Sequence, residues 1–91
     1  MRVAKFQKSF KKDYKRACAQ GKDISELDKV MALLLSEAPL PPKYRDHALT
    51  GDWSGCRELH LESDWLLIYK LYDDGVCGFA RTGSHAELFG K

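Results

Sequence analysis

Residues 2–6, Arg-Val-Ala-Lys-Phe, alternate polar and apolar, which is the period of a half-buried strand. Phe6, Phe10, Tyr14 and Cys18 then recur at steps of four and predict one face of a helix, with Ser9 as a candidate cap. The lysines between them face outward, and Gly21 is a good stop. Asp23 and Glu26 stand at capping-box spacing. Ile24, Leu27, Val30, Met31, Leu34 and Leu35 follow as an apolar stripe, predicting a second amphipathic helix that ends near Ala38. Pro39, Pro41 and Pro42 forbid its continuation. The two helices thus form a hairpin joined at Gly21-Lys22.

Residues 43–52 read as a polar loop ending in Thr50-Gly51-Asp52. From Trp53 the pattern becomes β. Residues 56–61 alternate, and residues 65–72 (Trp-Leu-Leu-Ile-Tyr-Lys-Leu-Tyr) form an apolar, aromatic run. Asp73-Asp74-Gly75 is a hairpin turn, and residues 76–82 return as a strand weakened by Gly78. Residues 84–89 form a terminal turn or short helix. The order β-α-α-β-β-β predicts an α+β fold, with an antiparallel meander and the helix hairpin on one face. The other face of the sheet is expected to be open.

Composition narrows the class. A chain of 91 residues and 10.4 kDa is expected to be one domain, residues 1–91. Its 44% hydrophobic content suffices for one core. No apolar run approaches the roughly 20 residues of a membrane span, and no secretory leader is visible. Net charge is +2, but its distribution is polarised. Residues 1–22 carry eight basic groups against Asp13 alone, a net +7, and the remainder is −5. Such an arm suits a polyanion such as a phosphate backbone, although a solvated lysine-rich helix looks the same in sequence. Cys18, Cys56 and Cys77 have neither disulfide-like nor zinc-like spacing, and free thiols in a reducing compartment are expected. Cys18 and Cys77 read as small core residues.

The three histidines lie outside the apolar stripes. His47 is in the loop, His60 near a strand end, and His85 in the terminal turn. Asp64 follows His60 across a predicted tight turn, so their side chains are expected to approach. Arg81 ends the last strand. His60, Asp64, Arg81 and His85 are therefore expected to share one rim of the open face. That set suits RNA phosphodiester cleavage, which needs a base for the 2′-OH, an acid for the leaving 5′-oxygen and a cation for the phosphorane. Arginine's fork matches phosphate oxygens. Trp65, Phe89 or Tyr69 are candidates for stacking a base. The blander reading makes Trp53 and Trp65 packing residues, pairs Arg81 with Glu58 or Glu87, and leaves the histidines idle. Dispersed histidines with one aspartate are a weak metal signature.

Four blocks carry a resemblance: residues 47–53 (HALTGDW), 57–61 (RELHL), 64–70 (DWLLIYK) and 81–89 (RTGSHAELF). In this order and spacing they resemble the YafQ-type mRNA interferase toxins of the RelE/ParE superfamily. The resemblance implies a compact RelE-like fold and cleavage of mRNA in the ribosomal A site without a metal or other cofactor. Attack by the 2′-OH would leave a 2′,3′-cyclic phosphate. The implied partners are a cognate antitoxin, the ribosome with its mRNA, and operator DNA only through the antitoxin complex. The implied location is the bacterial cytoplasm, with no membrane.

By position, the acid–base candidates are His47, His60, Asp64 and His85, and the transition-state cation is Arg81. His85 is the favoured general acid, with His60 or Asp64 nearer the 2′-OH. Trp65 and Phe89 fall on positions that shape the site and contact RNA. The arm residues Lys8, Lys11, Lys12, Lys15 and Arg16 are expected to grip ribosomal RNA. Ser63 stands where the family commonly has Pro, Leu59 where Cys is usual, and Gly78 where a more apolar residue is usual. These departures bear on stability rather than chemistry. Two other readings share the fold: a ParE-like gyrase poison, and a non-enzymatic nucleic-acid-binding module. The histidine-rich rim favours the nuclease over both.

Overall fold

The computed structural model describes residues 1–90. In chain order the elements are β1 (Val3–Phe6), α1 (Lys8–Ala19), α2 (Ile24–Leu35), β2 (His47–Ala48), β3 (Arg57–Glu62), β4 (Trp65–Leu71), β5 (Val76–Gly83) and α3 (His85–Phe89). Short 3-10 turns at Pro42–Tyr44 and Gly51–Trp53 flank β2. Sheet order is β1-β5-β4-β3-β2, with β1 parallel to β5 and the other pairs antiparallel. The expected α+β fold is present. The loop expected at 43–52 contributes one further short strand, β2, which pairs His47 with Glu58.

The helix hairpin covers one face. Phe10 and Ala17 of α1, and Leu27, Val30 and Leu34 of α2, pack on Leu59, Leu61, Trp65, Leu67, Tyr69, Cys77 and Phe79. Asp23 caps α2 by accepting from the Glu26 backbone N–H, and Gly21 takes the positive φ of 74° that the hairpin turn requires. The α1 pattern differs from expectation. Phe6 belongs to β1, and the buried positions are Phe10, Asp13 and Ala17. Cys18 is exposed, not core, because a step of four from Tyr14 drifts off that face. Gln7 holds the N-cap position, while the Ser9 hydroxyl donates to the Ala80 carbonyl.

The second face is not open. Leu66, Ile68 and Leu88 form a smaller buried cluster, with Leu49, Trp53, Cys56, Ala80 and Phe89 against it. Leu88 closes it because α3 folds back after Gly83. A Cβ on Gly83 would lie 3.0 Å from both Arg16 Nη2 and Glu87 Oε1. Gly78 likewise leaves room for the Tyr72 ring, which a Cβ would meet at 3.0 Å. The strand's apparent weakness is therefore a packing requirement.

A bulge in β5 matters for the site. Ile68 pairs with Arg81 but Tyr69 pairs with Phe79, so Ala80 is the extra residue. Strict alternation would put Arg81 on the helix side with Phe79. The bulge shifts parity and places it in a row with Ile68, Glu58 and His47.

Candidate active site

Three elements bring the imidazoles together. His47 lies on β2, His60 on β3, and His85 opens α3. The rings form a row, with centroids 5.9 Å apart for His47–His60 and 6.2 Å for His60–His85. Phe89, one helical turn on from His85, extends the row at 6.3 Å and meets Trp53 edge-on at 6.2 Å.

Two carboxylates flank this row. Asp64, in the β3–β4 turn, accepts from the His85 backbone N–H at 2.9 Å and contacts His85 Nδ1 at 2.7 Å. These bonds, the backbone one first, push the Asp64 carboxyl below its usual range. An ionised carboxylate only accepts, so Nδ1 of His85 carries the hydrogen and Nε2 is left for proton exchange. Against the expectation from sequence, no hydrogen bond or ion pair joins His60 to Asp64 among the described residues; Asp64 pairs with His85 instead.

The partner of His60 is Glu58, which sequence suggests only as a possible ion-pair mate of Arg81. Glu58 is buried at 5% exposure, and its Oε1 lies 3.3 Å from His47 Nε2 and 3.6 Å from His60 Nε2. The spacing carries a signal for this, since residues two apart on a strand share a face. His60 Nδ1 is buried and lacks a hydrogen-bond partner among the described residues, as does Trp65 Nε1. Burial, followed by the charge of Arg45, lowers the His60 pKa from its ordinary 6.5, against the pull of Glu58. His47, Glu58 and His60 each offer a donor atom within 4.8 Å of the others, a set able to hold a divalent cation and stronger than sequence spacing indicates.

Arg81 is not paired with Glu58 or Glu87. Its Nε and Nη2 donate to the buried Asp13 of α1 at 2.6 and 3.1 Å. Trp65 does not present its ring to a ligand: it is 1% exposed and packs on the helix side, beneath the Lys22 ammonium. Tyr69 is buried too, with its hydroxyl donating to Asp46, which also binds Arg57. Lys8, Lys11, Lys12 and Lys15 are exposed along α1. Arg16 is not free with them, because it binds Asp13 and Glu87, each at 3.0 Å. Phe89 is the one aromatic of the stacking candidates that reaches the imidazole row.

A helix hairpin on a five-stranded sheet, with imidazoles and carboxylates converging beside the short third helix, is the arrangement of a class of small α+β toxins. The family described as "Bacterial toxin of type II toxin-antitoxin system, YafQ" matches residues 2–90. The mRNA interferase toxin YafQ of Escherichia coli K12 is 46% identical over 90 residues, spanning 98% of this chain and 97% of the relative. YafQ in the crystal structure of the E. coli DinJ–YafQ complex superposes with a TM-score of 0.91 at 45% identity, covering 99% of this chain and 100% of that one. A metal-bound toxin from Helicobacter pylori gives 0.91 at 41% identity, covering 98% and 100%. The chain belongs to the YafQ family of type II toxin–antitoxin toxins, and it is an endoribonuclease.

Proposed function

We propose that this toxin cleaves mRNA in the ribosomal A site by acid–base catalysis from its imidazole row, without needing a metal. The observation that carries the reading is His85 held on Asp64, with His60 in the same row beside the buried Glu58. Neutral His60 takes the proton from the 2′-OH as its oxygen attacks phosphorus. Protonated His85 gives its Nε2 proton to the 5′-oxygen as the P–O5′ bond breaks. The products are a 2′,3′-cyclic phosphate and a 5′-OH. His60 ends protonated and His85 neutral, and exchange with solvent resets both. Asp64 orients His85, Glu58 orients His60 and His47, and Phe89 is the surface on which a base stacks. Arg81 offsets the charge on the phosphorane.

The chain is small, and the ribosome supplies much of the substrate positioning. The exposed lysines of α1 suit a grip on ribosomal RNA. A cognate antitoxin is the partner that silences the toxin in the bacterial cytoplasm, as the complex of the E. coli relative with DinJ supports. Among the described residues, no helix is long and apolar enough to cross a membrane.

His85→Ala tests the reading. The variant is expected to fold, bind antitoxin and lose growth arrest, and primer extension on mRNA from cells expressing the intact toxin should show codon-phased breaks. Full toxicity of the variant would refute the assignment of the acid. Gyrase–DNA cleavage complexes without mRNA breaks would refute the nuclease reading itself.

A further inference from the structure

Asp13 is the single acid among the first 22 residues, yet it is 3% exposed. Four donors converge on its carboxylate. They are Arg81 Nε (2.6 Å) and Nη2 (3.1 Å), the Thr82 backbone N–H (3.1 Å) and Arg16 Nη2 (3.0 Å). The position explains the convergence. β1 ends where Phe6 pairs with Phe79, so beyond that point β5 has no strand on that side. Asp13 of α1 occupies the gap, accepting the N–H that a strand neighbour would have taken.

The contact with Arg81 is side-on, using Nε–H and one Nη2–H. Both hydrogens of Nη1 and the second of Nη2 are left over, and no partner takes them among the described residues. One hydrogen from each terminal nitrogen forms the end-on fork, the edge of a guanidinium that fits two phosphate oxygens. Arg81's side chain is a quarter exposed, so the fork is accessible while its other edge is anchored. A long side chain leaving a bulged strand otherwise has many rotamers, and a second anchor removes that freedom before substrate arrives.

We infer that Asp13 is a positioning residue for cleavage, gripping Arg81 side-on from α1 so that its free fork faces the scissile phosphate. This rests on Arg81 being the cation of the proposed reaction. Asp13 touches no reacting atom. Its role in cleavage runs through Arg81, apart from its structural contacts with the Thr82 N–H and Arg16.

The test is single-turnover cleavage of mRNA on programmed ribosomes, with toxin in excess. Cleavage by the intact toxin comes first, and its failure would sink the parent reading rather than this one. Asp13→Asn keeps an acceptor for the Thr82 N–H but loses the charged two-point grip. The rate at saturating toxin is expected to fall about ten-fold or more, while the half-saturating concentration stays within about two-fold. In an Arg81→Lys background, where no side-on fork exists to hold, the same substitution should cost less than about two-fold. Equal slowing in both backgrounds, an unchanged rate, or a loss confined to half-saturation would overturn the inference. If Asp13→Asn fails to fold, nitrogen-15 NMR of the His85→Ala toxin decides. A resolved, slowly exchanging Arg81 Nε–H supports the grip, and a signal averaged with solvent rejects it.

Discussion

His60 shows how a single side chain's surroundings set its chemistry. Burial lowers its pKa from 6.5, and the Arg45 charge adds to this, so it is neutral at neutral pH. The direction fixes two pH effects. The unfolded chain binds this proton at higher pH than the folded one, so the group's stabilising share is present above pH 6.5 and is lost as pH falls through the lower folded value. Cleavage should follow the same sense. The kcat/KM of the toxin on programmed ribosomes is expected to drop on acidification, with a midpoint below 6.5, and His60→Ala should abolish that limb. An identical acid limb in the variant would remove His60 from the base role. At this scale the histidines are legible in the sequence, because polar residues outside apolar stripes stand out. Asp64 is legible too, but Glu58 and Asp13 are not. Glu58 looks like any strand-surface acid, and Asp13 looks like an interruption in a lysine helix. Their importance comes from partners 2 to 69 positions away.

The elements are easier to read where their signals are local. The α2 cap, the Gly75 turn at φ 83° and the β3–β4–β5 meander follow from spacing and turn chemistry. The bulge at Ala80 does not, since nothing in Phe-Ala-Arg-Thr announces an extra residue, and parity beyond it is inverted. The third helix depends on its first turn. Ser84 accepts from the Glu87 N–H at 3.1 Å, and Glu87 accepts from the Ser84 N–H at 2.8 Å, closing a capping box. With only five residues, α3 has little intrinsic stability and relies on this box and on Leu88. Ser84→Ala is expected to cost about 1 kcal/mol in thermal unfolding. The cleavage rate should fall by more than the melting shift suggests, because His85 is the helix's first residue. Unchanged cleavage alongside a lowered melting temperature would show that α3 does not need its cap to present the histidine.

For the molecule as a whole, the charge asymmetry is more discriminating than the net +2. The arm divides in two. Lys8, Lys11, Lys12 and Lys15 point to solvent, whereas Arg16 is spent on Asp13 and Glu87. Reversing Lys11 and Lys15 to Glu should weaken ribosome association and flatten its dependence on salt, by roughly one unit of log–log slope for each phosphate no longer neutralised. The cleavage rate at saturating toxin should be unaffected. Salt-independent association of the unaltered toxin would show that the lysines do not grip RNA. The covered second face and the parallel partner of β1 are not legible in the sequence, because both depend on contacts between residues far apart in the chain, Leu66 and Ile68 with Leu88 and Val3 with Val76.

That long-range closure bears on how the toxin is made. Val3 finds its strand partner at Val76, and His85 lies later still. During synthesis β1 emerges well before β5 and has no strand to pair with until that partner follows. The imidazole row, which needs His85, is therefore assembled only after β5 has emerged. Until α3 has emerged and folded, His47 and His60 have neither His85 nor Phe89 beside them, so the proposed chemistry waits on the folding of that helix.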